Sequence, residues 1–126
     1  MNNLRNSVQL IGHLGSDPEI KTVKNDSKVA RVNIATTESY KNTKGVYVDT
    51  TTWHRLVGWE KVAERMGKQM KKGLEVAVQG KLVQRNYDDK NGIKRYVTEV
   101  RVSNFIMMDK AARRVNNIEE DIVPLQ

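Results

Sequence analysis

Residues 46–82 read VYVDTTTWHRLVGWEKVAERMGKQMKKGLEVAVQGKL. The stretch changes period twice. From Val46 to Trp59 it is rich in β-branched and aromatic residues, which favour a pleated, half-buried strand. Then Val62, Met66 and Met70 recur every four residues with Ala63 on the same side, the spacing of a short amphipathic helix. Lys71 and Lys72 suit the negative end of its dipole, and Gly73 suits a left-handed stop. From Leu74 to Tyr87 period two returns, with Leu74, Val76, Val78 and Leu82 on one parity.

The same strand period extends to both sides. A run from Leu4 to Leu14 places Val8, Leu10 and Leu14 together, with Gly12 between the last two, and Gly15-Ser16-Asp17-Pro18 ends it. A second run, Lys28 to Thr37, turns Ala30, Val32 and Ile34 to one face, and a polar loop from Glu38 to Gly45 follows. Downstream, Asp88 to Gly92 reads as a hairpin loop whose Asn-Gly pair supplies positive φ angles. A fifth run spans Ile93 to about Met108, with Tyr96 on the core parity of Val100 and Val102. Five strands with one short helix between the third and fourth is the order of an all-β OB-fold, a five-stranded Greek-key barrel. Other small β-barrels and sandwiches fit the same pattern. Strict βαβ alternation is absent, which disfavours a parallel sheet. The expected organisation is one domain over 1–110 and a short, disordered acidic tail over 111–126.

Bulk properties narrow the function. A chain of 126 residues suits a single core. No apolar run approaches the ~18–20 residues that span a bilayer, and Met1 to Asn6 lacks the apolar centre of a secretion signal, so a cytoplasmic protein is expected. Without Cys there is no disulfide, thiolate metal site or thiol nucleophile. Net charge is +7. With the tail acids Glu119, Glu120 and Asp121 set aside, residues 1–114 carry 22 basic and 12 acidic side chains. Such a body suits a polyanion, either nucleic acid or an anionic membrane surface.

The aromatic residues favour nucleic acid. On a regular third strand Trp53, Arg55, Val57 and Trp59 share one side, and His54 and Leu56 the other. On the fourth, Lys81, Val83, Arg85 and Tyr87 oppose the core parity; Arg95 lies across the hairpin and Tyr40 beside the lysine-bearing loop. Aromatic rings stack on any base, while Lys and Arg meet phosphate, so binding needs no sequence readout. The competing reading buries Trp53 and Trp59 in the core. Catalysis finds little support: His13 and His54 are the only histidines, and no convergent set of nucleophile, base and acid is visible. No metal or cofactor is expected. Asp88 and Asp89 read as solvated turn residues, and Gly12-His13-Leu14-Gly15 lacks the spacing of a nucleotide-binding loop.

Several spaced motifs resemble the bacterial single-stranded DNA-binding protein family. Gly12-His13-Leu14-Gly15-Ser16-Asp17-Pro18-Glu19 resembles its first-strand ending, and Ala35-Thr36-Thr37-Glu38-Ser39-Tyr40 its A-T-S-E-S-W segment. Thr52-Trp53-His54-Arg55-Leu56-Val57 resembles T-E-W-H-R-V, and Lys72-Gly73 with Val76, Gly80 and Leu82 is similar to K-G-x-x-V-x-x-x-G-x-L. The match covers about residues 4–108. The resemblance implies an OB-fold homotetramer, nucleoid-associated in the cytoplasm, over which single-stranded DNA wraps during replication, recombination and repair. It implies base stacking by Tyr40, Trp53, Trp59 and Tyr87. Phosphate contacts are implied for Arg5, Lys61, Lys72, Arg85 and Arg95, to which strand parity adds Arg55 and Lys81. It also turns His54 toward a subunit contact.

The C-terminal end departs from the family. The usual Gly/Gln/Pro-rich linker is nearly absent, and Glu119, Glu120, Asp121, Ile122, Pro124 and Leu125 resemble a degenerate acidic tip that recruits replication and repair proteins. A competing reading has this tail merely screen the basic face. Two further readings stay open: an RNA-binding OB protein, and a protein-interaction module that binds no nucleic acid.

Overall fold

The computed structural model describes residues 4–108. In chain order it contains β1 (Val8–Leu14), β2 (Glu19–Val23), a 3-10 turn (Lys24–Asp26), β3 (Ser27–Lys41), β4 (Tyr47–Trp59), α1 (Lys61–Gln69), β5 (Glu75–Asp88) and β6 (Lys94–Met107). The five long strands close on themselves. β1 pairs β5, β5 pairs β6, β6 runs parallel to β4, β4 pairs β3, and β3 returns to β1 through His13↔Ala35 and Leu14↔Ile34. Where His13 and Leu14 meet Ala35 and Ile34 the closure leaves no open sheet edge. This is the OB barrel, with the helix between its third and fourth long strands as the sequence predicts.

One strand was not anticipated. β2 adds to the outside of β3, from Glu19↔Arg31 to Val23↔Ser27. All five of its residues are exposed, so it has no buried face to give its sequence a period.

The core holds most of the residues expected from parity, Leu14, Ala30, Val32, Ile34, Leu56, Val76, Val78, Val100 and Val102, whereas Leu82 shares the parity of Val76 and Val78 but is exposed. α1 seals one side of it with Ala63 and Met66, and Met70 just after the helix does the same, all fully buried. The helix can approach β4 because position 58 is Gly; a Cβ there would collide with Met66 Sδ. Arg65 fixes the helix to β6, donating from Nη1 to Asn104 Oδ1 (3.0 Å) and from Nη2 to the Phe105 carbonyl (3.2 Å). Gly73 ends the segment at φ +89°, and its N–H donates to the Leu14 carbonyl at 2.8 Å.

β6 contains a bulge. Gln79 pairs with Asn104 but Gly80 pairs with Val102, so Ser103 has no partner across the ladder. The inward parity of β6 therefore changes, from Val100 and Val102 to Phe105 and Met107.

β4 and β6 pair only at Leu56↔Val100 and Val57↔Arg101. Beyond that point the β3–β4 and β5–β6 hairpins part as two arms. Both arms end in the same turn. Asn42 Oδ1 accepts from the N–H of Lys44 and Val46, and Asp89 Oδ1 accepts from the N–H of Asn91 and Ile93. Gly45 and Gly92 then take positive φ, +79° and +76°. Asn91 does not, so the expected hairpin loop forms over Asp88 to Gly92 but its Asn-Gly pair supplies one positive φ, at Gly92 alone. The arms also correct the reading of Tyr96. It shares the parity of Val100, but the barrel interior has ended there, and it is 70% exposed.

Candidate nucleic-acid interface

Register defines one outward face. On the β3–β4 ladder Arg31↔Val57, Asn33↔Arg55, Ala35↔Trp53 and Val29↔Trp59 point away from the core. On the β5–β6 ladder Lys81↔Arg101, Val83↔Glu99, Arg85↔Val97 and Tyr87↔Arg95 do the same. The two ladders meet where β4 runs beside β6. The face is not uniformly wet: Val29, Val57, Val97 and Glu99 are buried on it.

Trp53, Trp59 and Tyr87 lie on this face. Trp53 is 59% exposed, so the core reading fails for it. Its indole lies over Gly15 at the end of β1, where a Cβ would come within 2.6 Å of Cζ3. Trp59 is only half-buried. Tyr87 is exposed with the Arg85 guanidinium 5.8 Å from its ring centre. Tyr40 is exposed too, but it pairs with Val48 on the Ile34–His54 side of the β3–β4 arm, opposite to Trp53. Two exposed tyrosines were not anticipated as site residues. Tyr47 has Lys41 Nζ 5.8 Å from its ring and shares the parity of Trp53, a signal that was readable. Tyr96 was masked by its apparent core parity.

The basic residues divide by location. Arg55, Lys81 and Arg85 are on the face; so are Arg31 and Arg101, which sequence reasoning missed although each flanks core residues. Arg95 sits near the β5–β6 tip and donates from Nε to Asp89 Oδ2 at 2.9 Å. That contact, more than the backbone N–H groups of Ile93 and Asn91, holds the Asp89 carboxyl below its ordinary range, against a small opposing effect of burial. Arg5 precedes Asn6, whose side chain brackets Leu82 through bonds of 2.8 and 3.0 Å, so it lies at the root of the β5–β6 arm. Lys61 opens α1, and the Lys72 backbone N–H donates to Asp17 Oδ1 at 2.9 Å; both belong to the helix and its following loop, off the sheet face. His54 is on the opposite side of β4 from the Trp residues, with Nε2 at 2.9 Å from Thr36 Oγ1. The predicted tail residues 119–125 lie outside the described residues.

Where the arms part, a cleft of about 460 Å3 opens, lined by Trp53, Arg55, Leu82, Tyr87, Tyr96 and Glu99 among others. It offers rings, a cation and apolar wall together, which suits a base with its attached phosphate. Among the described residues no cluster of three or more His, Cys, Asp or Glu side chains could hold a metal ion.

Comparison with known proteins agrees with this geometry. Residues 5–108 match the single-strand binding protein family. The chain is 42% identical over 96 residues to single-stranded DNA-binding protein 1 of Chlorobaculum tepidum, covering 75% of this chain and 59% of that protein. It is 40% identical over 106 residues to single-stranded DNA-binding protein 1 of Xylella fastidiosa, covering 83% of this chain and 78% of that one. The fold superposes on the Plasmodium falciparum SSB in complex with single-stranded DNA, with a TM-score of 0.76, 31% identity, and coverage of 86% of this chain and all of the other. Family match, identity and fold together establish that the chain belongs to the single-strand binding protein family.

Proposed function

We propose that the chain binds and protects single-stranded DNA without regard to sequence, in replication, recombination and repair, and performs no catalysis. One observation carries this reading: rings and guanidiniums interleave on one outward face of a closed barrel, from Trp53, Arg55 and Trp59 to Arg85 and Tyr87. Stacking accepts every base, each contact contributing ~1–3 kcal/mol, and phosphate contacts add affinity that falls with salt. The test is Trp fluorescence during titration with oligo-dT at low salt. Quenching is expected, with a strongly negative slope of log K against log salt. Unquenched emission refutes stacking by Trp53 and Trp59, and preference for matched oligo-rU assigns the face to RNA.

The functional unit is a homotetramer in this reading. Two features support self-association. β1 has a strand partner on one side only from Val8 to Ile11, among the described residues. Beside it Ile11, Ala77 and Ile106 form an apolar row across three strands, along a cleft of about 260 Å3. His54 lies on a subunit contact. Light scattering should give four times the 14.4 kDa of one chain. The acidic residues 119–121, with Ile122, Pro124 and Leu125, recruit replication and repair proteins at the nucleoid. Deleting residues 111–126 should abolish that recruitment and leave oligo-dT binding intact.

A further inference from the structure

Glu99 is the only buried charged residue among those described, at 4% exposure, and it sits within the face proposed to meet a polyanion. A carboxylate is costly to bury unless it is paired. Its neighbours on that face, Val57 and Val97, show that apolar side chains fit the same layer. Glu99 is paired on both oxygens. Oε1 accepts from Arg85 Nε at 3.2 Å, and Oε2 accepts from Arg85 Nη2 at 3.2 Å and from Arg31 Nε at 3.4 Å. Arg31 comes from β3, Arg85 from β5 and Glu99 from β6, so one carboxylate ties three strands of the face.

We propose that Glu99 is a positioning residue for single-stranded DNA, holding the Arg31 and Arg85 guanidiniums by their inner N–H groups so that their remaining N–H groups meet the phosphodiester backbone. The inference rests on the function proposed above and adds Arg31 to the residues that touch DNA. A guanidinium has five N–H donors in a rigid fork. Glu99 engages one from Arg31 and two from Arg85, which leaves both Nη groups of Arg31 and the Nη1 group of Arg85 for a ligand. Water reaches both side chains, which are 37% and 43% exposed. It scarcely reaches Glu99, so phosphate cannot take the place of the carboxylate. Arginines fixed in advance lose less freedom when phosphate arrives.

The rival account is that Glu99 is an acid that competes with phosphate for two arginines. The two accounts predict opposite signs. Glu99→Gln removes a negative charge, so competition predicts tighter binding. Positioning predicts about tenfold weaker binding of oligo-dT in spite of the added positive charge. It also predicts a salt slope shallower by about 0.7–1.4, the value of one or two phosphate contacts on a single strand. A merely structural role, read well below the melting temperature, leaves that slope unchanged. Arg85→Lys supplies an independent arm, since lysine keeps the charge but lacks the fork. It should bind oligo-dT about as weakly as Arg85→Ala. Unchanged or tighter binding by Glu99→Gln, or wild-type binding by Arg85→Lys should Glu99→Gln not fold, overturns the proposal. Failure of the wild-type protein to bind oligo-dT refutes the function itself. Loss of binding in Trp53→Ala with full binding in Glu99→Gln and Arg85→Lys refutes only the role of Glu99.

Discussion

Adding one methyl group at position 12 measures how closely β1 and β3 must meet to close the barrel. A Cβ on Gly12 would lie 2.8 Å from the carbonyl carbon of Ala35 and closer still to its oxygen, with Ile34 Cγ1 at 3.3 Å. Comfortable carbon contacts are about 3.5–4.0 Å, so the two backbones must separate by about 1 Å. Only two residue pairs join these strands, His13↔Ala35 and Leu14↔Ile34, with the Gly15 N–H donating to the Asn33 carbonyl at 2.9 Å just beyond. Overpacking costs about 1–3 kcal/mol, and losing one of these hydrogen bonds adds about 1 kcal/mol. Gly12→Ala should therefore cost about 2–4 kcal/mol, a large share of a typical 5–15 kcal/mol. At about 4 °C per kcal/mol for a domain a little over ~100 residues long, the melting temperature should fall by about 8–16 °C in far-UV circular dichroism. Gly45→Ala is the control. It has φ +79° but nothing within 4 Å, so it should cost only about 1–2 kcal/mol of backbone strain. If Gly12→Ala melts within about 3 °C of wild type, the close approach at Ala35 is not what shapes the barrel.

Trp53→Ala should weaken oligo-dT binding by ~1–3 kcal/mol, about 5- to 150-fold, in a fluorescence anisotropy titration; an unchanged constant would remove Trp53 from the interface. Arg65→Ala removes both bonds to the β6 bulge and the guanidinium 4.5 Å from the Phe105 ring centre, and should lower stability by about 1–3 kcal/mol in urea unfolding. An unmoved midpoint would show that α1 docks without it. The Asp89 carboxyl is held below its ordinary value near 3.8, so it stabilises the β5–β6 tip above that pH and ceases to as pH falls below it. Amide exchange at Gly92 and Ile93, corrected for intrinsic rates, should show protection lost on acidification. Asp89→Asn, which keeps the acceptor that Asn42 supplies at the other tip, should remove that dependence.

Most of the barrel was legible because a closed sheet with one dry side imposes period two, and the helix was legible because its apolar residues Val62, Ala63, Met66 and Met70 repeat at steps of three and four. The signal failed wherever that contrast was missing. β2 is exposed on every residue and left no pattern. Tyr96 was read inward because parity says which side of a strand a residue takes, not whether a core still lies on that side. The interface was legible in its aromatics on β4 and β5, since Trp and Tyr at outward positions stand out. Arg31 and Arg101 did not stand out, being single basic residues between core positions, as on any solvated strand. Glu99 lay furthest from view. Its meaning comes from two arginines that are 68 and 14 residues away in sequence and adjacent only after the barrel closes.

The bulge at Ser103 bears on how such a sequence can change length. Deleting that one residue would regularise the ladder and leave Phe105 and Met107 facing in, because Phe105 would then follow Val102 at the ordinary strand period of two. β6 can therefore lose its extra residue at the bulge and keep its inward face, whereas a single deletion or insertion in its regular stretches inverts everything beyond it. The turns at Asn42–Val46 and Asp89–Ile93 face no such parity rule, because the chain reverses there and no core follows. Relatives that differ in length should differ at the arm tips, which can lengthen or shorten the grip on a bound strand without disturbing the barrel that holds it.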